Sequence, residues 1–262
     1  MRYLVISLLL SVTFIMSRAS AQSVTLKQIG KTNEYFQSGT PVYYNKALYT
    51  FNYGALYKTE LDSGHRSRLG NSIYKNIRFF FAINNRLHII ETDGSMLGID
   101  PNTGDRKPES PMNTWINVMQ VIVVGNSFYS FENGVCYKHT ALDPNNRKQI
   151  GKAEFYELGD LYHSDSRLFS IIGGNLYQIN TGNGEWNKIG KGKTGKSVKA
   201  GTALNDKFYS IESDGILYET ILADGTKKVL DKTQFIKGGL LFAEAGKLYT
   251  FLEGTLYEII IN

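Results

Sequence analysis

A ten-residue pattern, LYTFNYGALY from Leu48 to Tyr57, recurs five more times along the chain and constrains its fold more than any other feature. The copies are LHIIETDGSMLG from Leu87, FYSFENGVCY from Phe128, LFSIIGGNLY from Leu168, FYSIESDGILY from Phe208 and LYTFLEGTLY from Leu248. Their second residues, Tyr49, His88, Tyr129, Phe169, Tyr209 and Tyr249, stand 39, 41, 40, 40 and 40 residues apart. Units of this kind cannot close alone, because each leaves two apolar faces that only a neighbour can cover. The period therefore predicts an all-β chain of six stacked blades, a six-bladed β-propeller.

The pattern inside each copy agrees. Two residues after each second residue stand Phe51, Ile90, Phe131, Ile171, Ile211 and Phe251, an apolar column at strand spacing that must face a neighbouring blade. The turn after it uses Asn52-Tyr53-Gly54, Asp93-Gly94, Asn133-Gly134, Gly173-Gly174, Asp214-Gly215 and Glu253-Gly254, residues that tolerate positive φ. A further hairpin follows in five copies, near Asp62-Ser63-Gly64, Asp100 to Gly104, Asp143 to Asn146, Asn180 to Gly184 and Asp224-Gly225. The sixth copy reaches Asn262 after its third strand. Val24 to Lys31, VTLKQIGK, stands ahead of the first copy and reads like the outer strand NRKQIGK that ends at Lys152. The expectation is that this N-terminal strand pairs with the last blade and closes the ring.

Residues 1–21 carry Arg2, an apolar run of 14 from Tyr3 to Met16, and the ending Ala19-Ser20-Ala21, the layout of a signal peptide cleaved before Gln22. The run is shorter than the roughly 20 residues a membrane-spanning helix needs. Residues 22–262 are thus expected to form one domain, secreted and extracellular, or periplasmic in a bacterium. Cys136 is the only cysteine and stands where Leu56, Leu97, Leu176, Leu217 and Leu256 stand in other copies, so it reads as a buried small hydrophobe. Of the 29 Lys and Arg, two fall in residues 1–21, leaving 27 against 24 acids. That excess makes no case for nucleic acid or a membrane surface as partner.

Several motifs bear on chemistry. GKGKTGKS from Gly190 to Ser197 matches the phosphate-loop pattern letter for letter, but that chemistry needs a helix after the loop, and VKAGTALNDKFYS reads as a strand. Its Lys191, Lys193 and Lys196, with Lys188 and Lys199, make a basic loop suited to phosphate, sulfate or carboxylate groups. His65, His88, His139 and His163 show no ligand spacing, and neither a metal nor another cofactor is expected.

The most informative column lies fourteen residues before each anchor: Tyr35, Tyr74, Trp115, Phe155, Gly195 and Phe235. Two residues on come Gln37, Asn76, Asn117, Glu157, Ser197 and Lys237, polar in every copy. In a propeller the chain here crosses from an outer strand to the next inner strand, so equivalent positions ring the axis on one face. An aromatic tier beside a polar tier lines many ligand sites. Arg78 and Lys199, two residues further along, would add positive charge. The candidate ligand set is therefore Gln37, Asn76, Arg78, Trp115, Asn117, Glu157, Ser197, Lys199 and Lys237, with no catalytic group among them.

With LKQIG, a Leu-Tyr strand, G-x-LY and a turn in each repeat, and GEWNKIG from Gly184 to Gly190, the chain resembles secreted propellers of the tectonin and tachylectin kind. That resemblance covers residues 22–262 and implies a lectin or pattern-recognition protein for bacterial surface glycans. The expected function is non-enzymatic recognition of a glycan, a surface polymer or another extracellular ligand at the axial face. The alternatives are an extracellular scaffold with a protein partner, and an enzyme of the lyase or lactone-hydrolase kind.

Overall fold

The computed structural model describes residues 23–36, 38–191, 198–237 and 239–262. The expected leader, residues 1–21, lies outside them. Among the described residues, twenty-four strands form six separate four-stranded antiparallel sheets, the blades of a propeller. Each of the first five blades takes four consecutive strands running from the axis to the rim. In blade 3 these are Gln120–Val124, Ser127–Glu132, Val135–His139 and Arg147–Ile150.

Blade 6 is assembled from both ends of the described chain. Leu240–Glu244, Lys247–Leu252 and Thr255–Ile261 supply its first three strands, and Val24–Ile29 supplies the outer one. The register runs from Val24 opposite Ile261 to Ile29 opposite Leu256, and the Asn262 N–H donates to the Ser23 carbonyl at 2.9 Å. The ring closure expected from VTLKQIGK is present, so the third strand of blade 6 has no open edge.

The second strands are the driest. Leu48, Leu87 and Leu168 are fully buried, as are Leu176 and Leu256 on the neighbouring third strands, and the apolar column two after each anchor is buried in five blades and half-buried at Ile171. Rings interlock between blades: Phe51 meets Phe80 edge-on at 4.7 Å, Phe81 stacks on Phe128 at 4.8 Å, and Tyr162 meets Phe208 at 5.0 Å. Cys136 sits in this packing beside Phe131, Ile150 and Phe155, and burial pushes its thiol up to about 12. It is the inert apolar filler that its column implied.

Two kinds of turn set the spacing between blades. In the hairpin joining second and third strands, φ is positive at Tyr53, Asn133, Gly173 and Glu253 and at the glycine that follows each. At the rim, Gly30, Gly151 and Gly190 just past outer strands, and Gly70 within the outer strand Arg66–Ile73, lie respectively against Gly64, Gly184, Gly225 and Gly104 in the outer hairpin of the next blade. A β-carbon on Gly64 would come 2.3 Å from the Gly30 nitrogen, which accounts for the recurrent Ile-Gly ending of these strands.

Candidate functional site

The aromatic column before each inner strand is a packing column. The backbone N–H groups of Tyr35, Tyr74, Trp115 and Phe155 donate to the carbonyls of Gly254, Gly54, Gly94 and Gly134, the hairpin glycines of the preceding blade, at 2.8–2.9 Å. This bond ties the connection to the hairpin face, here called the upper face, and turns each aromatic inward between two blades. Trp115 is 1% exposed, donates its indole N–H to the Ser110 hydroxyl at 3.1 Å and meets Phe128 edge-on. It therefore offers a ligand no surface.

In four of the connections the next residue points the other way. Phe36, Ile116, Tyr156 and Ile236 follow the buried aromatics, lie on the hairpin glycines Gly254, Gly94, Gly134 and Gly215, and are 40–70% exposed. Tyr53, Ile73, Met112 and Met119 join them on the same face. Eight of the ten large hydrophobic side chains left exposed among the described residues thus gather on the upper face. Sequence reasoning singled out the column one residue earlier; the usable signal was the apolar column Phe36, Ile116, Tyr156 and Ile236 just after it.

Of the polar ring, Asn76, Asn117, Glu157 and Lys237 are all exposed on this face. Asn76 adopts positive φ and its carbonyl accepts the Thr92 N–H at 2.8 Å, while Lys237 pairs with Glu253 at 2.5 Å. The Glu157 carboxylate makes no hydrogen bond or ion pair among the described residues. Gln37 and Ser197 lie outside the described residues, as do Lys193 and Lys196.

Arg78 and Lys199 occupy equivalent bulges. The inner strand of blade 2 slips register between Ile77 and Phe79, and that of blade 5 between Val198 and Ala200. Each bulge leaves one basic residue outside the ladder, and blades 2 and 5 stand opposite each other in a ring of six. Bulges re-aim side chains at the rims of such folds. Arg78 reaches the Ile116 carbonyl at 3.0 Å, which brings it beside Asn117; Lys199 is exposed.

A cleft of about 200 Å³ opens on the upper face between blades 3 and 4, lined by Met119, Gln120, Phe131, Phe155, Tyr156 and Leu158 and floored by the Asn133-Gly134 turn. The Gln120 side-chain amide donates to the Leu158 and Gly159 carbonyls at 3.4 and 3.0 Å, which holds that wall in place. At the other end of the axis, Glu244 closes the inner strand of blade 6. Burial pushes its carboxyl up to about 7.

The remaining motifs settle locally. Gly190 and Lys191 end blade 4, residues 192–197 of the phosphate-loop pattern lie outside the described residues, and Val198–Leu204 that follows is a strand. His88 is buried, bonded to Glu109 at 2.9 Å and to the Ile83 carbonyl; His139 is buried against Ser130 at 2.8 Å. Among the described residues no three His, Cys, Asp or Glu side chains gather as a metal site, and no helix is long and apolar enough to cross a membrane.

No family model matches the chain, and no curated protein matches it in sequence. Solved structures match it in fold. PorZ, an essential bacterial surface component of the type-IX secretion system of Porphyromonas gingivalis, aligns with a TM-score of 0.52 at 14% identity over 92% of this chain. The chain spans about a third of PorZ, 34% of its length. YCF48 from Cyanidioschyzon merolae aligns at 0.53 and 10% identity, over 84% of this chain and 81% of its own. A catalytically inactive virginiamycin B lyase from Staphylococcus aureus, with quinupristin, aligns at 0.54 and 12% identity, over 87% and 82%. At such identities the likeness shows the fold alone: it supports the propeller and leaves the finer tectonin and tachylectin resemblance without support.

Proposed function

We propose that the protein is a non-enzymatic binding propeller that works outside the cell and engages its ligand through the upper face. The observation that carries this is the one-sided distribution of its exposed large hydrophobics, eight of ten on the face that also presents Asn76, Asn117, Glu157 and Lys237. Scattered exposed apolar residues need no explanation, but a concentration on one face marks a contact surface. A glycan fits the aromatic members: Phe36, Tyr53 and Tyr156 are 50–72% exposed and can stack on a sugar ring beside amide and carboxylate groups that take its hydroxyls.

A second reading, an extracellular scaffold for a protein partner, is favoured by the aliphatic members Met112, Ile116, Met119 and Ile236, which offer a sugar little. PorZ, a surface component of a secretion system, lends the surface setting some support by analogy of fold. A glycan-array screen of the purified protein beside an Asn117→Ala/Glu157→Ala variant tests the proposal. Selective binding that the variant loses supports a glycan site; a blank array, together with no partner recovered by the wild type that an upper-face variant fails to recover, refutes upper-face recognition.

A further inference from the structure

The cleft between blades 3 and 4 differs from the rest of the upper face in two ways. Its walls are apolar: Met119, Phe131, Phe155, Tyr156 and Leu158 line it, and the Gln120 amide is already spent on two backbone carbonyls. A dry apolar cavity of about 150 Å³ holds a benzene ring, so 200 Å³ has room for one aromatic or branched aliphatic side chain. A sugar in the same place would bury hydroxyls against carbon without partners.

The second difference is charge. The connection between blades 3 and 4 carries Glu154, Glu157 and Asp160, all exposed, with Lys152 at its outer end as the one basic residue. The connection between blades 2 and 3, Pro111 to Met119, carries no charge, and the one between blades 4 and 5 is rich in lysine. Neither the Glu154 nor the Glu157 carboxylate is paired among the described residues. The rim of this cleft therefore asks for positive charge.

We infer that this cleft is the anchor point for a polypeptide partner that inserts an aromatic or branched aliphatic side chain between Met119 and Tyr156 and carries Lys or Arg beside it, facing Glu154 and Glu157. This rests on the upper face being a binding surface. Area supports a macromolecular partner: at about 200 Å² for a large side chain, the eight exposed hydrophobics present on the order of 900 Å². Spread over the upper face, that is comparable with the roughly 800 Å² each partner buries in a standard protein interface. Met119 and Tyr156, 63% and 70% exposed, stand at the mouth of the cleft, the arrangement of an anchor pocket with an apolar surround.

The test is selection of a phage-displayed random dodecapeptide library on the purified protein, followed by fluorescence anisotropy of the enriched peptides against wild type and variants. The expected consensus is one bulky apolar residue flanked by Lys or Arg. Affinity should fall at least tenfold in Met119→Asp and in Glu154→Lys/Glu157→Lys, and hold within twofold in Lys107→Ala, on the outer strand Arg106–Ser110. All these side chains are exposed, and a thermal melt verifies that each variant folds. No enrichment, acidic consensus sequences, or enriched peptides indifferent to Met119→Asp each overturn the inference. Peptides that depend on Phe36 and Ile236 instead overturn this cleft and leave the wider binding reading standing. A glycan whose array signal disappears in Met119→Asp hands the cleft to carbohydrate and overturns a polypeptide partner.

Discussion

The ring of Tyr156 lies directly on the backbone of Gly134, so close that a β-carbon on that glycine would come within 2.6 Å of it. Gly134 also holds φ near +76°, a conformation that costs an L-residue roughly 1 kcal/mol. Gly134→Ala should therefore strain the hairpin and push Tyr156 off the mouth of the cleft. Gly125→Ala supplies the comparison, because Gly125 has φ near +59° but open space around its β-carbon. Both variants should lose roughly 2–4 °C in thermal melts, and only Gly134→Ala should lose ligand binding. Equal binding by the two would remove Tyr156 from the site.

Ring closure makes a stability prediction of a different size. The strand Val24–Ile29 contributes a six-residue ladder to blade 6 and buries Ile29. At about 0.5–1.5 kcal/mol per hydrogen bond, its loss removes several kcal/mol and bares the edge of Thr255–Ile261. A chain beginning after Gly30 should unfold in a broadened transition and aggregate on heating. A melt as sharp as that of the full chain, within about 2 °C of it, would show that the closing strand is dispensable.

The fold was legible in the sequence because its determinants are local: alternation at Phe51 or Phe131 and glycines in hairpins declare themselves within a few residues, and VTLKQIGK resembles the outer strand NRKQIGK. The site was less legible. Trp115 and Ile116 are adjacent, and which of them faces the core is decided by a hydrogen bond from the Trp115 N–H to Gly94 in another blade. An aromatic letter says nothing of that choice, so the buried column drew attention and the exposed column after it did not. Likewise the copies align without a gap through Arg78 and Lys199, yet both residues are bulged, since a bulge shows only when the partner strand is in view.

Glu219 and Glu258 separate a buried ion cage from a more exposed one. Glu219 is 1% exposed, takes Lys207 at 3.0 Å and Lys228 at 2.9 Å, and accepts the Tyr209 hydroxyl at 3.2 Å. Burial pushes its carboxyl up, and hydrogen bonds and charge from the two lysines more than offset this, leaving the pKa below its ordinary value. Glu258, in the equivalent place in blade 6, is 13% exposed, with Lys247 at 3.0 Å and Lys27 at 3.7 Å. Glu219→Ala orphans a buried tyrosine hydroxyl and should cost about 2 kcal/mol; the lysines, 42% and 47% exposed, regain water and hold the loss below the 3–5 kcal/mol of a fully buried pair. Glu258→Ala should cost about 1 kcal/mol or less. Urea melts of the two variants decide it, and a larger loss for Glu258→Ala would invert the assignment.

Removing the charge of Glu244 should make the protein more stable, with a gain that opens above about pH 4.5 and is complete above about pH 7. Burial holds its carboxyl near 7 in the folded chain against 4.5 for an ordinary glutamate, so between those values the folded state keeps a proton that the unfolded state has released. Stability from this group is complete below pH 4.5, declines as pH rises to about 7, and is absent above it. His88 and His139 act in the opposite sense on the acid side. Burial lowers both below 6.5, so as pH falls through 6.5 the unfolded chain takes protons that the folded chain refuses, and stability drops. The wild-type profile mixes the two effects, and Glu244→Gln separates them. The variant should melt several degrees above wild type at pH 8 and level with it at pH 4, with the gap opening between pH 4.5 and 7. A constant difference across that range would mean that Glu244 titrates as it does in water, and that the lower end of the axis is wetter than its packing indicates.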